Sequence, residues 1–203
     1  AFYRFDETAG KQWNMKFYDQ LYPTDHRIKY PKAGEENAKV EVKIYDLKQA
    51  KVIATELGTP YEYLPSIEWT EDPNQLAVIS SNRHQNEVKI NLVDASSGKG
   101  KTVHTETSDT YIEMPFEVHF TKDKEHFLIL SEKSGFRHLY LYQINGKLKK
   151  QLTSGTWPVT RYYGLDEENN ILYYQSAESS PLEREIYSID IEGNSKTRLS
   201  DKK

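Results

Sequence analysis

Cysteine is absent from the 203 residues, which excludes disulfide scaffolds, thiolate metal sites and cysteine nucleophiles. No apolar run approaches the roughly 20 residues that a membrane-spanning helix needs. Basic residues are not in excess: 27 Lys and Arg stand against 31 Asp and Glu, for a net charge of −4. A nucleic-acid partner, which calls for a concentrated basic face, is therefore not expected. Convincing helical periodicity is missing as well. The start, Ala1-Phe2-Tyr3-Arg4-Phe5, has neither an initiator methionine nor the pattern of a signal peptide, and it reads as the middle of a strand. The expectation is a section of something longer. What is abundant is aromatic: fifteen Tyr stand against two Met, and Phe, Trp and Tyr together reach 12%. A disordered chain is poor in such residues, so a folded, sheet-rich chain is expected.

Short alternating segments dominate. Val40–Tyr45 alternates apolar and charged side chains, as a half-buried strand with one wet face does. Val88–Val93, Leu139–Tyr142 and Ile186–Ile189 repeat the device, and each run is followed by a turn. Asn145-Gly146, Ser97-Gly98 and Glu192-Gly193-Asn194 supply the positive φ that a tight hairpin requires. Asp46, Asp94, Gln143 and Asp190 hold equivalent places, separated by 48, 49 and 47 residues. Two further segments precede each later turn, such as Val118–Thr121 and Phe127–Leu130, and a short closing segment follows it.

Four strands per unit at a period just under 50 is the mark of β-propeller blades, whose faces are buried only by stacking on neighbours. A β-sandwich of similar strand count is the alternative. The expected fold is all-β, a partial propeller of about 3.5–4 four-stranded antiparallel blades. The boundaries read as 1–58 (an incomplete blade lacking its opening strand), 59–108, 109–155 and 156–203. The first unit carries a long insertion, residues 6–39, where the others have a short hairpin. Its Trp13, Met15, Phe17, Tyr18, Leu21, Tyr22 and Tyr30 would be unfavourable if simply solvated, so it is expected to pack on its own blade or on a partner.

Several constellations suggest chemistry and do not support it. Ala95–Thr102 fits a permissive phosphate-loop pattern, but a strand-like segment follows where the mechanism needs a helix. The six histidines form no metal-ligand spacing, although His119 and His126 lie on adjacent strands and could approach one another. Neither a metal nor a cofactor is expected. The acidic pairs Asp6-Glu7, Glu35-Glu36 and Glu167-Glu168 lie in loops and read as solvated. Arg83-His84 and Arg137-His138 fall on the links between second and third strands, where a structural role is expected.

Leu21-Tyr22-Pro23, the string Ile28–Asn37 with its Tyr30-Pro31-Lys32-Ala33-Gly34, Ser134–Tyr140 and Leu152–Trp157 carry a resemblance. They resemble the propeller of dipeptidyl peptidase IV, a serine peptidase of the prolyl oligopeptidase family. Ser179–Arg184 with Ile186-Tyr187 is similar to its bacterial branch. The resemblance implies an eight-bladed propeller capping an α/β-hydrolase domain that removes dipeptides ending in Pro or Ala from peptide N-termini. It also implies an extracytoplasmic (periplasmic or cell-surface) location.

This sequence has no Gly-x-Ser-x-Gly elbow, so the hydrolase domain and its triad are expected to lie outside it, and no residue here is expected to be catalytic. The family's paired glutamates would lie upstream of Ala1. By position in the family, the link Ser108–Phe116 looks toward the substrate, with Tyr111, Glu113 and Met114 as substrate-facing candidates. The arginine that reaches the substrate in mammalian relatives would fall near Glu113-Met114-Pro115, where no arginine stands. The insertion corresponds to the family's dimer arm, with Trp13, Phe17, Tyr18, Leu21 and Tyr22 as its contact candidates. The implied partners are a peptide substrate, through the parent enzyme, and a second copy of the chain. The second reading is a non-enzymatic propeller used for protein binding, and a Gly-x-Ser-x-Gly beyond Lys203 would decide between the two.

Overall fold

Period-two alternation becomes seventeen strands in the computed structural model, which describes residues 1–114 and 116–201. Pro115, in the link singled out above, and Lys203 lie outside the described residues. β1 (Phe2–Asp6) leads into a separate hairpin of β2 (Gln12–Phe17) and β3 (Thr24–Lys29). The chain then returns as β4 (Lys39–Asp46), which pairs antiparallel with β1 and with β5 (Lys51–Ala54). This first sheet therefore has three strands, in the order β1-β4-β5. The second sheet comprises β6 (Tyr63–Trp69), β7 (Gln75–Ser81), β8 (Glu87–Asp94) and β9 (Gly100–Thr107) in sequence order. The third follows with β10 (Val118–Phe120), β11 (His126–Ser131), β12 (His138–Gln143) and β13 (Leu148–Gln151). The fourth contains β14 (Val159–Asp166), β15 (Ile171–Ser176), β16 (Glu185–Asp190) and β17 (Thr197–Arg198).

A strand sends successive side chains to opposite faces, and here both faces are covered. On β11, Phe127 and Ile129 enter the core shared with the second sheet, while Leu128 and Leu130 enter the core shared with the fourth. On β12, Tyr140 and Tyr142 face the second sheet, and Leu139 and Leu141 face the fourth. A third core joins Val42 and Ile44 of the first sheet to Leu76, Val78 and Val93 of the second. Four sheets stacked face to face through three separate cores are an open section of a β-propeller, the architecture expected from the repeat.

At three of the four equivalent positions an aspartate closes the turn. The Asp46 carboxylate accepts the backbone N–H of Lys48 and Gln49, and Asp94 accepts those of Ser96 and Ser97 together with both serine hydroxyls. Asp190 accepts the N–H of Asn194 and Ser195. In the turns of the second and third sheets a glycine meets the outer strand of the preceding sheet. Gly98 (φ 76°) and Gly146 (φ 91°) adopt the left-handed conformation, and a Cβ at either would collide with a carbonyl oxygen, of Ala54 or Val103 respectively. Gly34 (φ 84°) has the same conformation in open space.

Two predictions follow from these turns. Gly34→Ala should cost only the left-handed strain, about 1 kcal/mol. Gly146→Ala and Gly98→Ala should cost clearly more in denaturant unfolding, since the sheets must also part; equal losses at all three sites would refute close sheet approach. The second concerns acid. Hydrogen bonds from the Ser96 and Ser97 hydroxyls pull the Asp94 carboxyl down to about 2. Partial burial opposes the shift at Asp123, yet the Thr121 hydroxyl, the Glu125 N–H and His126 bring it to about 2 as well. A folded value below the unfolded one gives stability that is complete above about pH 4 and is lost as pH falls toward 2. The thermal midpoint should drop through that window, and Asp94→Asn with Asp123→Asn should flatten the drop; an unchanged slope would contradict the assignment.

Candidate functional site

Each pair of neighbouring sheets is joined by a link from an outer strand to the next inner strand. The links run through residues 55–62, 108–117 and 152–158. They lie at the end of the sheets that also carries the turns between second and third strands. Backbone bonds place them there: Glu62 N–H to the Ser81 carbonyl, Ile112 N–H to Gln85, and Val159 N–H to Arg137.

Two of the three junctions are bridged by side-chain contacts. At the first, the Arg83 guanidinium lies 2.8 Å from Glu62, and the Asn37 amide donates to Glu62 at 2.7 Å. At the third, Trp157 packs against the core and meets His138 edge-on, with ring centres 5.0 Å apart. The second junction has the longest link and is open. A cavity of about 100 Å³ lies there, with Tyr111, Ile112 and Phe116 from the link, and Leu130 from β11, among its lining residues. Glu106, at the end of β9, is only 7% exposed and also lines it.

Glu106 sits in a polar relay. Burial would raise its pKa, but hydrogen bonds from His104 and Ser131, and the charges of His104 and Lys133, hold it below the ordinary carboxylate value. The His104 Nε2 lies 3.2 Å from one carboxylate oxygen, and the Ser131 hydroxyl donates to the other. Lys133 Nζ donates to the Tyr142 hydroxyl at 2.5 Å and stands 3.9 Å from the centre of the Tyr140 ring. Burial lowers the Lys133 pKa, and the Glu106 charge works against that.

Of the three substrate-facing candidates, the structure places Tyr111 and Glu113 on this cavity, whereas Met114 packs into the core between the second and third sheets. His119 and His126 do not come together. His119 lies against Tyr162, with ring centres 4.5 Å apart, and 3.6 Å from Glu117; His126 bonds Asp123 at 2.7 Å. Burial pushes the His119 pKa down, against the Glu117 charge. Asp123, Glu125 and His126 offer ligand atoms within 4.8 Å of one another. The Asp123 carboxylate is already committed to the Thr121 hydroxyl and the Glu125 N–H, as a turn cap is. The phosphate-loop-like run is the hairpin between β8 and β9, followed by a strand.

The insertion forms its own antiparallel hairpin, β2–β3, rather than packing on the first sheet. Trp13, Phe17, Tyr18, Leu21 and Tyr22 are all exposed, the tip residue Leu21 to 90%. Its base is fastened by Lys11 to Glu35 at 2.6 Å, and by Arg83 of the second sheet, which donates to the Glu35 carbonyl. Arg83 thus ties the arm to the neighbouring sheet. Its partner lies 48 residues away in sequence, so no local signal announces the contact.

Comparison with known proteins places these features in a family. The model of the family described as dipeptidyl peptidase IV (DPP IV) N-terminal region matches residues 1–203. The crystal structure of Porphyromonas gingivalis dipeptidyl peptidase 4 is similar at 37% identity and a TM-score of 0.89, over 98% of this chain and 28% of that one. Proteins of Aspergillus clavatus and Emericella nidulans that carry the name "Probable dipeptidyl peptidase 4" are 27% and 29% identical over 99% and 93% of the chain. The chain spans about 28% and 27% of those two relatives. With its whole length matched, the chain belongs to the dipeptidyl peptidase IV N-terminal region family.

Proposed function

We propose that these residues are the propeller section of a serine-type dipeptidyl peptidase that removes Xaa-Pro and Xaa-Ala dipeptides from peptide N-termini. The observation that carries the reading is the whole-chain match to a family named for that peptidase. The section restricts access to the catalytic centre and does no bond chemistry itself. Its sequence holds no Gly-x-Ser-x-Gly, so acyl transfer is assigned to residues outside these 203. The link bearing Tyr111 and Glu113 faces incoming peptide in this reading. The arm carries dimerisation, supported by the exposure of Trp13, Phe17, Tyr18, Leu21 and Tyr22 on one hairpin. An extracytoplasmic location goes with the same reading.

The 203-residue chain alone should release no chromophore from a Gly-Pro anilide, while the protein encoded by the complete gene should turn it over. Turnover by the chain, or none by the complete protein, would overturn the assignment. For the arm, Leu21→Glu with Tyr22→Glu should convert a dimer to a monomer in sedimentation without lowering the unfolding midpoint. Arg83→Ala, by releasing the arm's base, should raise the rate of proteolytic cleavage within residues 18–23 several-fold. Because that ion pair is partly solvated, global stability should change by less than about 1 kcal/mol. Unchanged mass in the double variant, or unchanged cleavage in the other, would count against the arm's role.

A further inference from the structure

We infer that the cavity at the second junction is a subsite for one cationic side chain, arginine or lysine, of a bound peptide. The inference rests on the proposed function only for the supply of peptides; binding itself needs no peptidase activity. Size comes first. A cavity of about 150 Å³ holds a benzene molecule, so about 100 Å³ accommodates the end of a side chain and not a stretch of backbone. The lining then divides by chemistry. Ile112, Phe116 and Leu130 are apolar and suit the methylene stem that arginine and lysine bury while the charge stays solvated or paired. Tyr111 is 52% exposed at the same cavity and offers a ring face to a guanidinium.

Charge decides the sign of the occupant. Glu106, Glu113, Glu117 and Glu132 line the cavity against Lys133 and Arg137. Both cations are engaged: Arg137 lies 3.6 Å from Glu117, and Lys133 is held by the Tyr142 hydroxyl and the Tyr140 ring. Glu113 and Glu132 have no ion-pair partner among the described residues. Glu106, more than nine-tenths buried, has its oxygens engaged by His104 and Ser131 and adds a negative background, while the unpaired charge is that of Glu113 and Glu132. A void left by poor packing would be apolar and dry; this one contains a carboxylate. At the other two junctions the corresponding groups already have partners, an ion pair at one and a tryptophan packed on the core at the other.

The test uses the 203-residue chain and two blocked tripeptides, Ala-Arg-Ala and its neutral isostere Ala-citrulline-Ala, titrated by isothermal calorimetry at low salt. The arginine peptide should bind at least tenfold more tightly. Glu113→Gln, at an exposed position, should weaken the arginine peptide about fivefold, leave the citrulline peptide unchanged and leave the unfolding midpoint in place. Glu106→Gln should abolish the preference if that variant folds. Equal affinity for the two peptides, no binding of either, or indifference to Glu113→Gln would overturn the inference. Arginine-selective binding by the chain, with no dipeptidase turnover by the protein encoded by the complete gene, would instead retain the subsite and remove the proposed function.

Discussion

A four-stranded sheet that is apolar on both faces cannot hide its surface alone, and the rest of this structure depends on that constraint. β11 and β12 make the case most plainly: their odd and even residues enter two different cores, and almost every side chain is buried. A fully buried Leu, Ile or Phe contributes about 1.5–3 kcal/mol relative to exposure, so removing a neighbouring sheet would uncover far more than a domain's net stability. Stacking at this distance then demands turns without side chains. Gly98 and Gly146 meet the need, each lying against a carbonyl of the preceding sheet.

The same constraint sorts the elements that carry function from those that do not. Strands are committed to packing, so variation is confined to links and insertions. The link at the second junction is the longest of the three and leaves a cavity around Glu106. The hairpin between β1 and β4 leaves the stack altogether and shows its apolar side chains to solvent. The link is held by Phe116 and Met114 in the core between the second and third sheets, whereas the hairpin is anchored by a long-range polar contact, Arg83 to Glu35.

Much of the fold was legible in the sequence because period-two alternation and the spacing of Asp46, Asp94, Gln143 and Asp190 are local signals. The arm's strands were not legible, since Gln12–Phe17 and Thr24–Lys29 have both faces wet and no clean alternation. Of the two expected settings, its own sheet or a partner, the hairpin does not take the first. The cavity could not be read at all, because it reflects a lack of side-chain volume between segments, and the division of Met114 from Tyr111 and Glu113 depends on how one link turns. The family resemblance came from short strings such as Tyr30–Gly34, and the folding pattern alone would not have supplied it.

Amide hydrogen exchange, followed strand by strand, tests the central claim that stacking holds the sheets together. β7, β8, β11 and β12 should be the most protected and should open together, while β1, β17 and the β2–β3 hairpin exchange much faster. Four sheets that open independently, each with similar protection, would contradict the account.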